Sequence, residues 1–255
     1  MEKENITIRK PAFAGSFYPS TKREILAFFQ RFEKELKEED MVEGMNNSKI
    51  SGLIVPHAGW VYSGKTTYAA HRLLRKIKPE KIALLGPSHR ALFHTAYRDP
   101  HDFWESPMDR TQIIHDSLFS VHPSVHNEEH SLEVQLPFIQ HFSPQSRMLP
   151  LVVGHISETQ AEEFALYLKN YFLIISTDLS HYYPLDEARK IDSRSIRQIE
   201  NLDPVDVDAC GINPLRIAFA FMSRHGLRPH LINYSTSAEA FGDASAVVGY
   251  AGFWF

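Results

Sequence analysis

Short apolar runs, each followed at once by a turn that contains a histidine, recur three times along this chain. They are residues 53–55 before His57, residues 81–85 before His89, and residues 171–175 before Asp178 and His181. Continuous apolar runs of this length are typical of strands that are buried on both faces of a sheet. Because open α/β sheets bind ligands beyond the carboxyl ends of their strands, the pattern predicts a histidine-rich site at one sheet edge.

The first two runs are separated by a helical pattern over about residues 64–76. A strand, a helix and a second strand in about 35 residues form a βαβ unit, and its crossover connection makes the two strands parallel. His57 and His89 are therefore expected at the same sheet edge. If their strands are adjacent or one apart, the two side chains lie about 5–10 Å from each other.

The rest of the chain also has the pattern of an α/β protein. Helices are predicted over residues 22–40 (with Thr21 as N-cap), 130–139, 159–170, 186–202 and 213–224. Strands are predicted over residues 147–153, 231–235 and 246–255, the last two as a possible antiparallel pair. Residues 8–20 are expected to pack as an extended segment, residues 41–49 to form an exposed loop, and residues 96–119 give only hints of short strands at 103–104 and 112–114. No linker, repeat or low-complexity segment interrupts the pattern, which favours a single domain over residues 1–255.

Composition narrows the chemistry. The 255 residues carry a net charge of −4, which gives no reason to expect nucleic acid or an anionic membrane as a partner. Cys210 is the single cysteine beside 14 histidines, so a metal would be bound by imidazole and carboxylate groups rather than by a cysteine cluster. The charged N-terminus lacks the apolar core of a signal peptide, and no apolar run approaches the ~18 residues of a membrane span. The cytoplasm is the expected location.

The turn residues leave alternatives open. Asp178 and His181 could be a carboxylate that orients an imidazole, or two metal ligands, or Asp178 could simply cap a helical turn. His130 and Glu133 lie three residues apart on one helix face, which fits an acid–base role but also an exposed helix start. The chain has no GxSxG, P-loop, GxGxxG or HExxH motif, which argues against a serine hydrolase, a P-loop NTPase, a dinucleotide-dependent enzyme and a zincin.

Several motifs, taken together, resemble one family. They are PAFAGSFYP, VPHAGWVYSG, LLGPSHR, EHSLEVQLPF, STDLSHYYP, DACGINPL and NYSTSAEAFGDASAVVGYAGFWF. This set is similar to the Memo family (mediator of receptor-driven cell motility), whose microbial members are called AmmeMemoRadiSam system protein B. The resemblance runs from about Pro11 to the C-terminus. It implies a fold like that of the class III extradiol dioxygenases, a three-layer α/β/α domain with a largely parallel or mixed central sheet.

The resemblance also implies roles for individual residues. His57 and His89 match the two metal-site histidines, His181 matches the general base of the dioxygenases, and the motif of His130 places that histidine facing the pocket. Animal members carry a cysteine where this chain has Ala240. The neighbouring Glu239 is therefore expected as the third ligand, because the dioxygenases use a glutamate there. Two histidines and a carboxylate form a set suited to Fe(II) with open positions.

Three functions follow as hypotheses. The first is a metal-dependent redox enzyme that uses iron or copper, in which His181, oriented by Asp178, moves a proton and His130 stabilises charge. The second is a non-catalytic module that binds a peptide or phosphopeptide between Trp60, Tyr62 and Tyr182, with Arg90 and Lys65 available for a phosphate. The third is a zinc hydrolase with the same ligands. The bound ligand is expected to be a small molecule or a peptide, and the microbial name implies a separate radical-SAM protein as a partner.

Overall fold

The computed structural model describes residues 6–36 and 50–255. Its strands are β1 (Ile8–Arg9), β2 (Gly52–Val55), β3 (Lys81–Pro87), β4 (Ala96–Arg98), β5 (Phe103–Glu105), β6 (Arg110–Gln112), β7 (Ser120–Val121), β8 (Arg147–Val153), β9 (Phe172–Ser176), β10 (His181–Tyr183), β11 (His230–Thr236) and β12 (Val247–Trp254). Its helices are α1 (Lys22–Glu35), α2 (Trp60–His71), α3 (Leu74–Ile77), α4 (His130–Glu133), α5 (Leu136–Phe142), α6 (Glu158–Tyr167), α7 (Leu185–Asn201), α8 (Ile212–His225) and α9 (Ala238–Phe241).

Nine of the described strands form one mixed sheet. Its order is β10-β12-β2-β9-β3-β8-β4-β7, and β11 also pairs with β12. The four central strands β2, β9, β3 and β8 run parallel, whereas β12 and β4 join them antiparallel. The predicted antiparallel pairing of β11 with β12 is confirmed. Because β9 lies between β2 and β3, the turns that carry His57 and His89 follow strands that are one apart.

Helices cover both faces of this sheet. Along β2, Leu53 and Val55 belong to one apolar core with α1, α2 and α5, and Ile54 between them belongs to a second core with α6 and α8. Side chains alternate between the two faces of a strand, so a run that is apolar at every position buries both faces. The predicted three-layer α/β/α architecture is confirmed.

Several helix boundaries differ from the predicted ones. Thr21 caps α1 as predicted, since its side chain accepts a hydrogen bond from the Glu24 N–H. The helix ends at Glu35, where Leu36 is its C-cap in an extended conformation. The predicted continuation over residues 37–40 and the loop at 41–49 lie outside the described residues. The predicted helix at 130–139 is divided into α4 and α5. Pro137 explains the division, because it has no N–H to donate to the carbonyl of Glu133.

The N-terminal segment packs onto the side of the domain. β1 pairs with β5, and β5 pairs with β6, to form a small three-stranded sheet among the described residues. The helices of residues 6–36 and 50–255 include none with the length and apolar character needed to cross a bilayer.

Candidate metal centre

Three histidines converge where the carboxyl ends of the central strands meet α4. His57 follows β2, His89 follows β3, and His130 is the first residue of α4. Their ring centroids are 5.1 Å apart for His57 and His89, 5.4 Å for His57 and His130, and 4.7 Å for His89 and His130. One nitrogen of each ring lies within 4.8 Å of the other two, an arrangement that could hold a metal ion.

A chain of hydrogen bonds fixes the tautomer of His57. Its Nδ1 lies 3.0 Å from Ser176 Oγ. The hydroxyl of Ser176 donates its one proton to the carbonyl of Ser131 at 2.6 Å, so it accepts from the imidazole and from Gln135 Nε2 at 3.0 Å. The proton of His57 is therefore on Nδ1, and Nε2 carries the lone pair that a metal ion needs.

Burial keeps two of the three imidazoles uncharged. Burial and, to a smaller extent, the neighbouring His89 lower the pKa of His57 to about 3. Burial also lowers the pKa of His130 to about 4, with a further contribution from His57. Both rings are thus neutral near pH 7, the state in which imidazole binds a metal.

Glu129 orients the third imidazole. Its carboxylate lies 2.9 Å from His89 Nδ1 and also accepts the backbone N–H of His89 at 2.8 Å. Burial acts to raise the pKa of Glu129, but the hydrogen bonds from His89 and from Ser131 N–H outweigh it and hold this pKa at about 2. The ionised carboxylate accepts a hydrogen bond from the Nδ1–H of His89, which leaves the Nε2 lone pair free for a ligand bond. The sequence signal for Glu129 was only its place beside His130, at the start of a helix.

Asp178 and Cys210 lie against His57. Asp178 Oδ1 accepts the backbone N–H of His57 at 2.7 Å, and its Oδ2 lies 3.8 Å from His57 Nε2. Burial raises the pKa of Asp178. Cys210 Sγ is 3.3 Å from His57 Nε2 and accepts the Asp178 N–H at 3.3 Å. Cys210 precedes α8, and its thiol contacts the site.

A cavity of about 750 Å³ opens above these histidines. Its lining is Phe17, His57, Ala58, Gly59, Tyr62, His89, His130, Asp178, His181, Tyr182, Ser237, Phe241, Asp243, Ala246, Val248 and Tyr250. The structure therefore brings together most of the predicted site residues, including His181 and the predicted substrate-binding residues Tyr62 and Tyr182.

Three predicted site residues lie elsewhere. Trp60 is buried in the core, where its Nε1 donates to the carbonyl of Val134 at 3.2 Å. Arg90 is exposed and is not part of the pocket lining. Glu239, the expected third ligand, lies on α9 beside a neighbouring depression that Lys65 also lines, and its carboxylate accepts the backbone N–H of Thr236 at 3.1 Å. The imidazole that joins His57 and His89 in the structure is that of His130.

Known proteins match nearly the whole chain. The family model described as Memo-like protein matches residues 9–254. This chain belongs to the Memo-like protein family. The family resemblance seen in the sequence motifs is thereby confirmed.

Three microbial relatives match this Memo-family chain over nearly their full length. A MEMO1 family protein of Thermoplasma volcanium is 32% identical over 96% of this chain and 97% of its own length. Those of Aquifex aeolicus and Methanosarcina barkeri are 32% and 34% identical, over 97% and 96% of this chain and 99% and 98% of their own lengths. The printed names describe membership of the family. The dioxygenase-like activity and the radical-SAM partner remain predictions.

Proposed function

We propose that His57, His89 and His130 bind one divalent metal ion and that the protein is a metal-dependent redox enzyme acting on a small molecule. The observation that supports this best is the convergence of three imidazole nitrogens within 4.8 Å at the floor of an open cavity. Catalytic metal sites have this form, with three protein ligands and further positions open to substrate or water.

The protonation states of the histidines, as well as their positions, suit the binding of a metal ion. Ser176 and Glu129 hold the Nδ1 protons of His57 and His89, so two Nε2 lone pairs are ready without rearrangement. Imidazole ligands suit iron, copper and zinc. A bound iron or copper ion would supply electron transfer to or from a coordinated substrate. Three histidines replace the set of two histidines and Glu239 that we expected.

The surrounding residues bind, orient and move protons. His181 lines the cavity outside the three-histidine cluster, which suits it to accept or return a substrate proton as general base and acid. Asp178 holds the turn of His57 through the backbone N–H. Phe17 packs against His130, with ring centroids 4.4 Å apart, and so limits the positions that this imidazole can adopt.

The test is metal analysis of protein purified without oxygen, for the wild type and four variants. We expect nearly one iron or copper per chain in the wild type and in His94→Ala, an exposed-histidine control, and loss of metal in His57→Ala, His89→Ala and His130→Ala. Metal retained by His130→Ala would overturn the ligand set. Wild-type protein that takes up neither Fe(II) nor Cu(II) would overturn the function itself.

Zinc hydrolysis is the second candidate, because three histidines also make up known catalytic zinc sites. The same preparation separates the two. Stoichiometric zinc together with no oxygen uptake by the loaded protein would favour activation of water, in which His181 would again serve as the proton-transfer group.

A further inference from the structure

Among the described residues, the lining of the histidine cavity contains two acidic side chains but no lysine or arginine. Its two acidic residues are Asp178 and Asp243. Asp243 accepts hydrogen bonds from the backbone N–H and the hydroxyl of Ser245 at 2.9 and 2.7 Å, and these bonds lower its pKa. It is therefore ionised at neutral pH. Lys65 and Arg90, which a phosphate ligand would need, are not among the lining residues.

The acidic cavity wall does not depend on a metal ion. Asp243 lines the cavity and is not one of the three histidines that would hold a metal ion, so its carboxylate is available to a ligand whether or not metal is bound. A ligand that is neutral or positively charged is therefore better matched to the cavity than an anion is.

The cavity mouth is aromatic. Tyr62, Tyr182 and Phe241 line it although 41%, 76% and 70% of their surfaces are exposed. The rings of Tyr62 and Phe241 meet edge to face, with centroids 5.4 Å apart. Exposed apolar side chains gathered at one place mark binding sites in soluble proteins. Aromatic faces also attract cations, most strongly where water is partly excluded.

Tyr182, whose ring lines the mouth, has an unusual backbone conformation. Its φ of 64° lies in the left-handed region, which is unfavourable for a residue with a side chain. The pairing of β10 with β12 is irregular between His181 and Tyr183, so Tyr182 stands outside the regular ladder. Strained residues of this kind are concentrated at ligand sites. Since His181 precedes it, the same turn provides a proton-transfer group and an aromatic wall.

We infer that the ligand of this cavity is a small aromatic cation, with its ring among Tyr62, Tyr182 and Phe241 and its positive group balanced by Asp243. The cavity of about 750 Å³ has the size of a small-molecule site. The inference rests on the proposed function in one respect, that the ligand is a substrate. The ring and charge preferences belong to the cavity walls and do not need the metal.

The test measures the affinity of four probes by NMR titration of the metal-free protein and, separately, of the zinc-loaded protein. The probes are 2-phenylethylammonium, 2-phenylethanol, 3-phenylpropanoate and 2-cyclohexylethylammonium. On the metal-free protein we expect the phenyl ammonium to bind roughly tenfold more tightly than the alcohol, and the propanoate to bind most weakly. The cyclohexyl ammonium has no aromatic face, so we expect it to bind more weakly than the phenyl ammonium.

Variants assign these preferences to residues. Asp243→Asn should remove the preference for the ammonium over the alcohol, and Phe241→Ala should weaken both phenyl probes together. Asp206→Asn and Val205→Ala are matched exposed controls outside the cavity lining and should change neither preference. Propanoate binding more tightly than the ammonium to metal-free protein would overturn the inference, and so would a preference that Asp243→Asn leaves intact.

The outcome is separable from that of the metal test. Protein that binds metal through the three histidines but shows no preference for the phenyl ammonium contradicts this inference alone. Protein that prefers the ammonium but takes up no metal contradicts the proposed enzymatic function and leaves the ligand class standing.

Discussion

His57 Nδ1 lies 3.0 Å from the hydroxyl of Ser176, a residue 119 positions away in the chain. The two residues belong to neighbouring parallel strands or the turns after them, since β2 pairs with β9 up to Val55 and Ser176. This contact determines which nitrogen of His57 is free, because the hydroxyl proton of Ser176 is already donated to the carbonyl of Ser131. The ability of His57 to bind a metal ion through Nε2 thus depends on Ser176, the last residue of β9.

We expect Ser176→Ala to weaken metal binding by about 10–100-fold, as is usual when a hydrogen-bond partner of a ligating histidine is removed. The affinity is measured by competition with a chelator, and the tautomer of His57 by ¹⁵N NMR of the imidazole. Ser146→Ala, another buried serine with hydrogen-bond partners far from the histidines, is the control. Equal metal affinity in wild type and Ser176→Ala would show that the serine does not set the tautomer.

The thiol of Cys210 should be unreactive in the folded protein. Burial, and then the nearby charge of Asp178, raise its pKa to about 12, so very little thiolate exists at pH 8. Because the thiolate is the nucleophile, we expect alkylation by iodoacetamide at pH 8 to be at least ~100-fold slower than for an unperturbed thiol. Mass spectrometry follows the reaction at this single cysteine.

The same protein unfolded in urea provides the reference rate for Cys210. Rapid alkylation of the folded chain would contradict the buried, protonated state of the thiol next to His57.

Glu133 anchors the N-terminal segment. Its buried carboxylate pairs with Arg9 at 2.6 Å and accepts the backbone N–H groups of Ala12 and Phe13 and the hydroxyl of Tyr18. Glu133→Gln leaves Arg9 as a buried cation without its counter-charge, so we expect a loss of ~3 kcal/mol in the free energy of unfolding. Urea denaturation measures the loss.

Hydrogen exchange locates the effect of the Glu133 substitution. Exchange at the amides of Ala12 and Phe13 should accelerate in Glu133→Gln. The control is Glu128→Gln, an exposed substitution just before α4, which should change neither the stability nor the exchange rates. Unchanged protection at Ala12 and Phe13 would show that the segment is held by other contacts.

His71 should make stability depend on pH. Burial lowers the pKa of His71 to about 4 in the folded state, against 6.5 in the unfolded chain. Below pH 6.5 His71 is therefore protonated in the unfolded chain but stays neutral in the folded protein, so the free energy of unfolding falls as the pH drops toward 4. At pH 5 this histidine alone should cost ~2 kcal/mol relative to pH 7.5.

The comparison uses His71→Phe, whose ring can keep the stacking on Phe138. The difference in unfolding free energy between pH 7.5 and pH 5 should be smaller in this variant than in the wild type and unchanged in His94→Phe, which alters an exposed histidine. A pH dependence equal to that of the wild type would rule out His71 as a source.

Local patterns in the sequence predicted much of the framework. Continuous apolar runs identified the buried strands β2, β3 and β9, because residues buried on both faces leave no polar position in the run. The βαβ spacing then placed His57 and His89 at one edge, where their rings are 5.1 Å apart. Thr21 identified the start of α1, since an N-cap is recognised from its own hydroxyl and the residues just after it.

Only the tertiary structure decided which groups complete the site. Glu239 stood beside the expected ligand position in the motif, but the short helix α9 places its carboxylate against the N–H of Thr236, while α4 carries His130 to the other two histidines. Glu129, Ser176 and Cys210 are 40, 119 and 153 positions from the histidines that they contact. Hydrophobic periodicity reports which face of an element is buried, whereas contacts at such separations depend on how the elements pack together.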